Sequence, residues 1–243
     1  MLSGILLSYY DIKLFIFLLN SIMRISLVQP NFRQGGKTFS GYWLPHSIAC
    51  VYTYVEDKNP DYFDLNRIIF RREAIVSASK SMRQDDMVLF SCYMWNWQYN
   101  LELSKLLKTI NPNVKIIFGG PQVSEFRLEE QQEEFHWVDS WIVSEGELSF
   151  EKLINDLRDT GSIKRTYEAQ RLMDLDIPSP YTNGFFDSII KDNPDIKWST
   201  TLETNRGCPF KCSFCDWGSL TYSKIKKFPV PKVYQEIEWL GKN

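Results

Sequence analysis

Met87-Val88-Leu89-Phe90-Ser91-Cys92-Tyr93-Met94-Trp95-Asn96 is the stretch on which the fold turns. Four apolar residues in a row, then a polar and aromatic group, read as a strand buried on both faces that ends where the polarity changes. A helix over residues 101–109 follows it. The same alternation recurs on both sides. Residues 24–28 form a first strand, and 44–56 a helix with Ile48, Val51, Tyr52 and Val55 on one face. Residues 65–70 are a second strand, followed by a weaker helix over 73–82. Residues 114–118 and 141–143 are further strands, stopped by Gly119-Gly120-Pro121 and Glu145-Gly146-Glu147, with a helix over 148–157 behind the last. This pattern predicts an α/β fold with a doubly wound, five-stranded parallel sheet, in which ligands bind outside the carboxyl ends of the strands.

The chain has 243 residues, enough for one large domain or two small ones at about 150 residues each. A composition that is 44% hydrophobic and 24% charged excludes a disordered or collagen-like chain. Lys and Arg total 28 against 30 Asp and Glu, a formal charge of -2 that argues against a nucleic-acid partner. Five cysteines are too few and odd in number for a disulfide scaffold. The opening, through residue 22, is apolar. It lacks a basic start and a small-residue cleavage site, and its longest apolar run, 14–19, is too short to span a bilayer. It reads as an extension outside the fold, with no membrane partner and a cytoplasmic location. Domain expectations are therefore 1–22 extension, 23–160 first domain, 161–197 linker and 198–243 the start of a second domain.

Unusual residues gather at the strand ends: Gln29-Pro30-Asn31, Ser91 with Tyr93, Trp95 and Asn96, Gly119-Gly120-Pro121, and Gly146-Glu147. Glycines end strands in any α/β protein. Four such clusters on one edge, one of them aromatic, favour a ligand site, because glycine lets a flat or phosphorylated ligand approach the backbone. No G-x-G-x-x-G follows the first strand, which disfavours a dinucleotide. After about residue 160 the pattern gives way to Asp, Asn and Pro. This linker is expected to pack, since Tyr181, Phe185, Phe186, Ile189 and Ile190 need burial.

A strand over 199–203 leads to Gly207-Cys208-Pro209-Phe210-Lys211-Cys212-Ser213-Phe214-Cys215-Asp216-Trp217. Three cysteines spaced C-x3-C-x2-C can converge on one inorganic cluster. A cuboidal iron–sulfur cluster normally takes four cysteines, so three leave one iron open to another ligand. A zinc site would want a fourth Cys or His. The only two histidines, His46 and His136, lie in the other domain. Cys50 and Cys92 read as small buried hydrophobes.

The motif from Gly207 to Cys215 resembles the signature of the radical S-adenosylmethionine superfamily. Residues 90–96, Phe118-Gly119-Gly120-Pro121, Ser144-Glu145-Gly146-Glu147 and Pro178-Ser179-Pro180-Tyr181 resemble, in that order, the Rossmann-like cobalamin-binding domain that precedes the signature in one subclass. The resemblance covers about residues 23–243. It implies that Cys208, Cys212 and Cys215 hold a 4Fe–4S cluster and that S-adenosylmethionine binds its open iron beside Phe214 and Trp217. It also implies cobalamin on the carboxyl edge, touching Gln29, Pro30, Asn31, Ser91, Tyr93, Trp95, Asn96, Gly119, Gly120, Pro121, Gly146 and Glu147. The implied activity is reductive cleavage of S-adenosylmethionine to a deoxyadenosyl radical, coupled to methyl transfer or another radical rearrangement. The implied partners are a flavodoxin- or ferredoxin-like electron donor and a small-molecule or peptide substrate.

Two features depart from the pattern. The histidine motif D-x-H-x-x-G is absent, the first loop reading Gln29-Pro30-Asn31-Phe32, so cobalt is expected without a protein imidazole. One strand, the cluster loop and a helix over 230–240 are also only the first βα unit of the family's partial barrel, so the chain is expected to be a truncated piece, inactive alone. The rival classes are a cobalamin-binding module without activity and a cluster-only electron-transfer protein.

Overall fold

The computed structural model describes residues 22–31, 41–168, 171–210, 213 and 225–243. In chain order the strands are β1 (Met23–Asn31), β2 (Gly41–Trp43), β3 (Phe63–Arg71), β4 (Met87–Ser91), β5 (Lys115–Gly119), β6 (Ser140–Val143), β7 (Thr166–Glu168), β8 (Lys197–Ser199), β9 (Asn205–Arg206) and β10 (Lys226–Lys227). The helices are α1 (His46–Lys58), α2 (Ile75–Ser81), α3 (Trp97–Ile110), α4 (Leu128–Glu134), α5 (Gly146–Thr160), α6 (Asp187–Lys191) and α7 (Val230–Lys242).

Strand β4 is buried at every position, as its unbroken apolar run requires. It lies beside β1 in a six-stranded sheet of order β3-β1-β4-β5-β6-β7, all neighbours parallel. The chain leaves β1 for β3 on one side and then crosses to β4 on the other. The sheet therefore reverses direction between β1 and β4, the point at which doubly wound sheets open a crevice.

Strand alternation splits the core in two. Ile25, Leu27, Met87, Leu89, Ile117 and Ile142 face α1 and α5. Val28, Val88, Phe90, Ile116, Phe118 and Trp141 face α2 and α3. On the second face Phe90, Phe118 and Trp141 run across the sheet with ring centroids 5.1 and 5.5 Å apart. Each such side chain contributes roughly 1.5–3 kcal/mol by leaving water.

The sheet has one strand more than its sequence pattern predicts. β7 falls in the stretch expected as linker, and is three residues long with only Tyr167 buried. It covers the flank of β6, where the Trp141 amide donates to the Arg165 carbonyl at 3.0 Å. The strand expected over 199–203 is also revised. Lys197–Ser199 pairs in parallel with β2 instead, and β9 pairs antiparallel with β10. The intervening backbone is drawn away from a ladder by the Tyr181 hydroxyl, which donates to the Thr201 carbonyl and lies 2.6 Å from Thr200 Oγ1. The expected packing of the linker holds: Tyr181, Phe186 and Ile189 are buried in a third cluster with Leu44 and Phe70. Gln29, Pro30 and Asn31, expected in a loop, complete β1; residues 1–21 and 32–40 lie outside the described residues. Among the described residues no helix is long and apolar enough to cross a membrane.

Gly146 opens α5 against α1, and a Cβ there would stand 2.7 Å from Val51 Cγ2. Gly146→Ala should destabilise the chain by about 1–2 kcal/mol in denaturant unfolding, with Val51→Ala recovering part of the loss when combined with it. Strict additivity of the two substitutions would contradict this packing.

Candidate functional site

The carboxyl ends of β1 and β4 meet at the reversal point, and their side chains tie the two strands together. Asn31, last in β1, accepts a 3.2 Å hydrogen bond at Oδ1 from the Trp95 indole and donates from Nδ2 to the Trp43 carbonyl at 3.4 Å. The Trp95 ring stacks on Tyr93, centroids 4.5 Å apart and planes at 14°. The Tyr93 hydroxyl lies 2.6 Å from Ser47 Oγ on α1. Met94, between the two rings, is 81% exposed, so a polarizable apolar patch stands at the mouth of the crevice.

The turn beneath that patch is held from inside. Asn96 accepts from the Tyr93 amide at 2.8 Å and donates to the Ser91 carbonyl at 3.0 Å. Asn100 donates to the same carbonyl at 3.3 Å. Gln29 is buried, and its Oε1 accepts the Ile48 amide at 3.0 Å, satisfying a first-turn donor of α1 that the preceding Pro45 leaves without a side-chain cap. Gly120 has φ +95°, and a Cβ there would lie 2.9 Å from the Cys92 carbonyl oxygen. Its missing side chain is thus already used by the Cys92 backbone, as that of Gly146 is used by Val51. Pro121 is exposed beside it.

The loop after β6 faces the C-terminal segment. Glu147 is buried and pairs with Arg206 at 2.7 Å; Glu203 holds the same guanidinium at 2.9 Å and Glu145 stands 3.7 Å away. Lys226 pairs with Glu145 at 3.1 Å. The acidic neighbours hold the Arg206 pKa above its ordinary value despite its burial. This network was not visible in the sequence. Its signals were two glutamates flanking Gly146 and an arginine two residues before the first motif cysteine.

Cys208 is partly buried at the end of this segment, while Cys212, Phe214, Cys215 and Trp217 lie outside the described residues. Cys50 and Cys92 are buried, and burial pushes the Cys92 thiol up to about 12 and raises that of Cys50 as well. Both thiols stay protonated, as small core groups should. Among the described residues no group of His, Cys, Asp and Glu is arranged to hold a metal ion.

This edge and the sheet that carries it define an α/β domain of the cobalamin-binding kind: residues 35–154 match the family model described as B12 binding domain. The chain is 32% identical over 221 residues to the cobalamin-dependent radical SAM methyltransferase TokK of Streptomyces tokunonensis, covering 83% of this chain and 32% of that protein. It is 29% identical to the 2-(S-pantetheinyl)-carbapenam-3-carboxylate methyltransferase of Streptantibioticus cattleyicolor over 83% of this chain and 32% of that protein. It is 26% identical to the anaerobic magnesium-protoporphyrin IX monomethyl ester cyclase of Cereibacter sphaeroides, over 90% of this chain and 38% of that one. The chain is a radical SAM protein with a cobalamin-binding domain. It spans about a third of the length of these curated relatives.

His46 opens α1 beside this junction, stacked on Tyr181 at 5.2 Å with Cys50 Sγ 3.3 Å from Nε2. Desolvation, then the charges of Arg206 and Lys232, lower its pKa from 6.5 to about 4. The unfolded chain therefore binds a proton below pH 6.5 that the native chain refuses down to about pH 4. The stability contributed by neutral His46 is full above 6.5 and is lost as pH falls through that window. Relative to His46→Phe, unfolding free energy should drop on acidification by up to ~1.4 kcal/mol per pH unit. Parallel pH profiles for the two proteins would contradict this.

Proposed function

We propose that the chain is the cofactor-carrying part of a cobalamin-dependent radical SAM enzyme, with methyl transfer as the reaction it serves. The observation that carries the reading is the Tyr93–Trp95 stack with exposed Met94 at the reversal point of the sheet, inside the matched domain. A flat macrocycle fits such a surface: an aromatic and thioether patch packs on its face, and Asn31 and Ser47 offer polar groups at the rim. Ser91, Asn96 and the Gly119-Gly120-Pro121 turn shape the floor of the crevice, and Gln29 and Pro30 support it from β1. Gly146 and Glu147 act one layer back, since a neighbouring helix and Arg206 occupy them. No imidazole takes part in this arrangement, His46 being held by Tyr181 and Cys50.

Cys208, Cys212 and Cys215 form a donor set that suits a 4Fe–4S cluster with one open iron, and Phe214 and Trp217 are placed by the motif to border S-adenosylmethionine there. When bound, cobalamin supplies a methyl carrier and the cluster supplies the electron that cleaves S-adenosylmethionine. The chain's own residues position both groups, keep Cys50 and Cys92 out of thiolate chemistry, and exclude water along the packed faces. An external one-electron donor and a small-molecule or peptide substrate complete the reading.

Anaerobic reconstitution of the chain should give about four irons. Cys208→Ala, Cys212→Ala and Cys215→Ala should each abolish the cluster absorbance, whereas Cys50→Ala and Cys92→Ala should leave it. Corrin bands, read separately in the same spectrum, report cobalamin. A cluster retained in Cys212→Ala would overturn the ligand set; corrin uptake without iron in the wild-type chain would favour a cobalamin-binding module.

A further inference from the structure

Arg206 and Lys226 are register partners in the β9–β10 hairpin, directly opposite each other. Like charges at such positions destabilise a ladder, and a hairpin whose strands have two residues each is marginal even without them. Here both cations are neutralised by the turn that follows β6. Glu147 takes Arg206 at 2.7 Å, and Glu145 takes Lys226 at 3.1 Å and stands 3.7 Å from Arg206. The Glu145 carboxylate also accepts the Leu172 amide at 3.0 Å, and Lys226 donates to the Leu172 carbonyl. The hairpin is thus fixed at one point on each strand, which sets orientation as well as distance. Glu147 is 3% exposed and the Arg206 side chain 14%, so separating them would leave a buried charge without its partner. Such a pair adds little net stability over an apolar contact; what it can add is a defined geometry.

We infer that Glu147 is a positioning residue: through Arg206 it makes the hairpin that bears the cysteine loop form only when docked on the carboxyl edge of the sheet, and so sets the cluster's place relative to cobalamin. The part that concerns the two cofactors rests on the function proposed above; the docking of the hairpin does not. Cys208 lies two residues beyond Arg206, and Glu147 follows the same strand end whose neighbours, β5 and β4, lead to the Gly119-Gly120 turn and the Tyr93–Trp95 stack. One ion pair therefore joins the two halves of the proposed site.

The test uses the full chain, with Glu147→Gln, Arg206→Lys and the exposed control Glu129→Gln. In cofactor-free protein, trypsin cleavage after Lys226 and Lys227 should accelerate about tenfold in Glu147→Gln, with unfolding of the main sheet unchanged. In samples matched for iron and cobalamin content, the dipolar coupling between reduced cluster and cob(II)alamin should be sharp in wild type and broadened in Glu147→Gln. A merely stabilising contact would leave that coupling unchanged. If Glu147→Gln does not fold, Arg206→Lys, which keeps the charge and loses the fork to Glu203, takes its place in both arms. Wild-type cleavage rates in the folded variant, or an unaltered dipolar spectrum, would overturn the inference. Failure of the wild-type chain to take up either cofactor would instead count against the proposed function, and the proteolysis arm would then decide the docking alone.

Discussion

Parallel pairing is the constraint from which the rest of the structure follows. A parallel strand can be followed by another only through a crossover, so every connection leaving the sheet in the forward direction emerges on one edge. With β1 as the hinge between β3 and β4, that edge divides where the chain changes direction. The loops after β1, β4, β5 and β6 are then brought together whatever their own preferences. Asn31, Trp95, Gly120 and Glu147, scattered over more than a hundred residues of sequence, share an edge for this reason.

The groups on that edge fall into two sets. Gln29, Asn96, Gly120 and Gly146 face inward and are consumed in caps, turns and close packing. Tyr93, Met94 and Trp95 face outward and are left with apolar surface at the mouth of the crevice. The first set makes the second possible, since a ring pair that is to support a ligand needs a turn beneath it that does not yield. The acidic loop after β6 adds a third role, anchoring the segment that carries Cys208.

The sheet was legible because its strands are strongly apolar. Val88 and Phe90 on one face, and Leu89 on the other, admit no helical period, and the helix behind β5 on the sequence pattern of neighbouring units follows by topology. β7 was not legible, because three residues with one buried tyrosine carry no periodicity. The edge as a location could be read from clusters of Gly, Pro and aromatic residues; the use of each residue could not. Gly120 and Gly146 suggested room for a ligand, whereas their missing side chains are needed by Cys92 and Val51. Thr200 and Thr201 suggested a strand through local propensity, and a tertiary hydrogen bond from Tyr181 overrides it. Pairing between Glu147 and Arg206, 59 residues apart, depends on packing that no local pattern encodes.

The account stands on the carboxyl edge at the β1–β4 reversal being where cobalamin lies. Hydrogen exchange of the full chain with and without saturating hydroxocobalamin addresses this directly. Protection is expected in peptides spanning residues 29–31, 91–97 and 119–123, with the opposite edge around Asp85 and Asn111 unchanged. Protection confined to that opposite edge, or none at all under saturating cofactor, would contradict it.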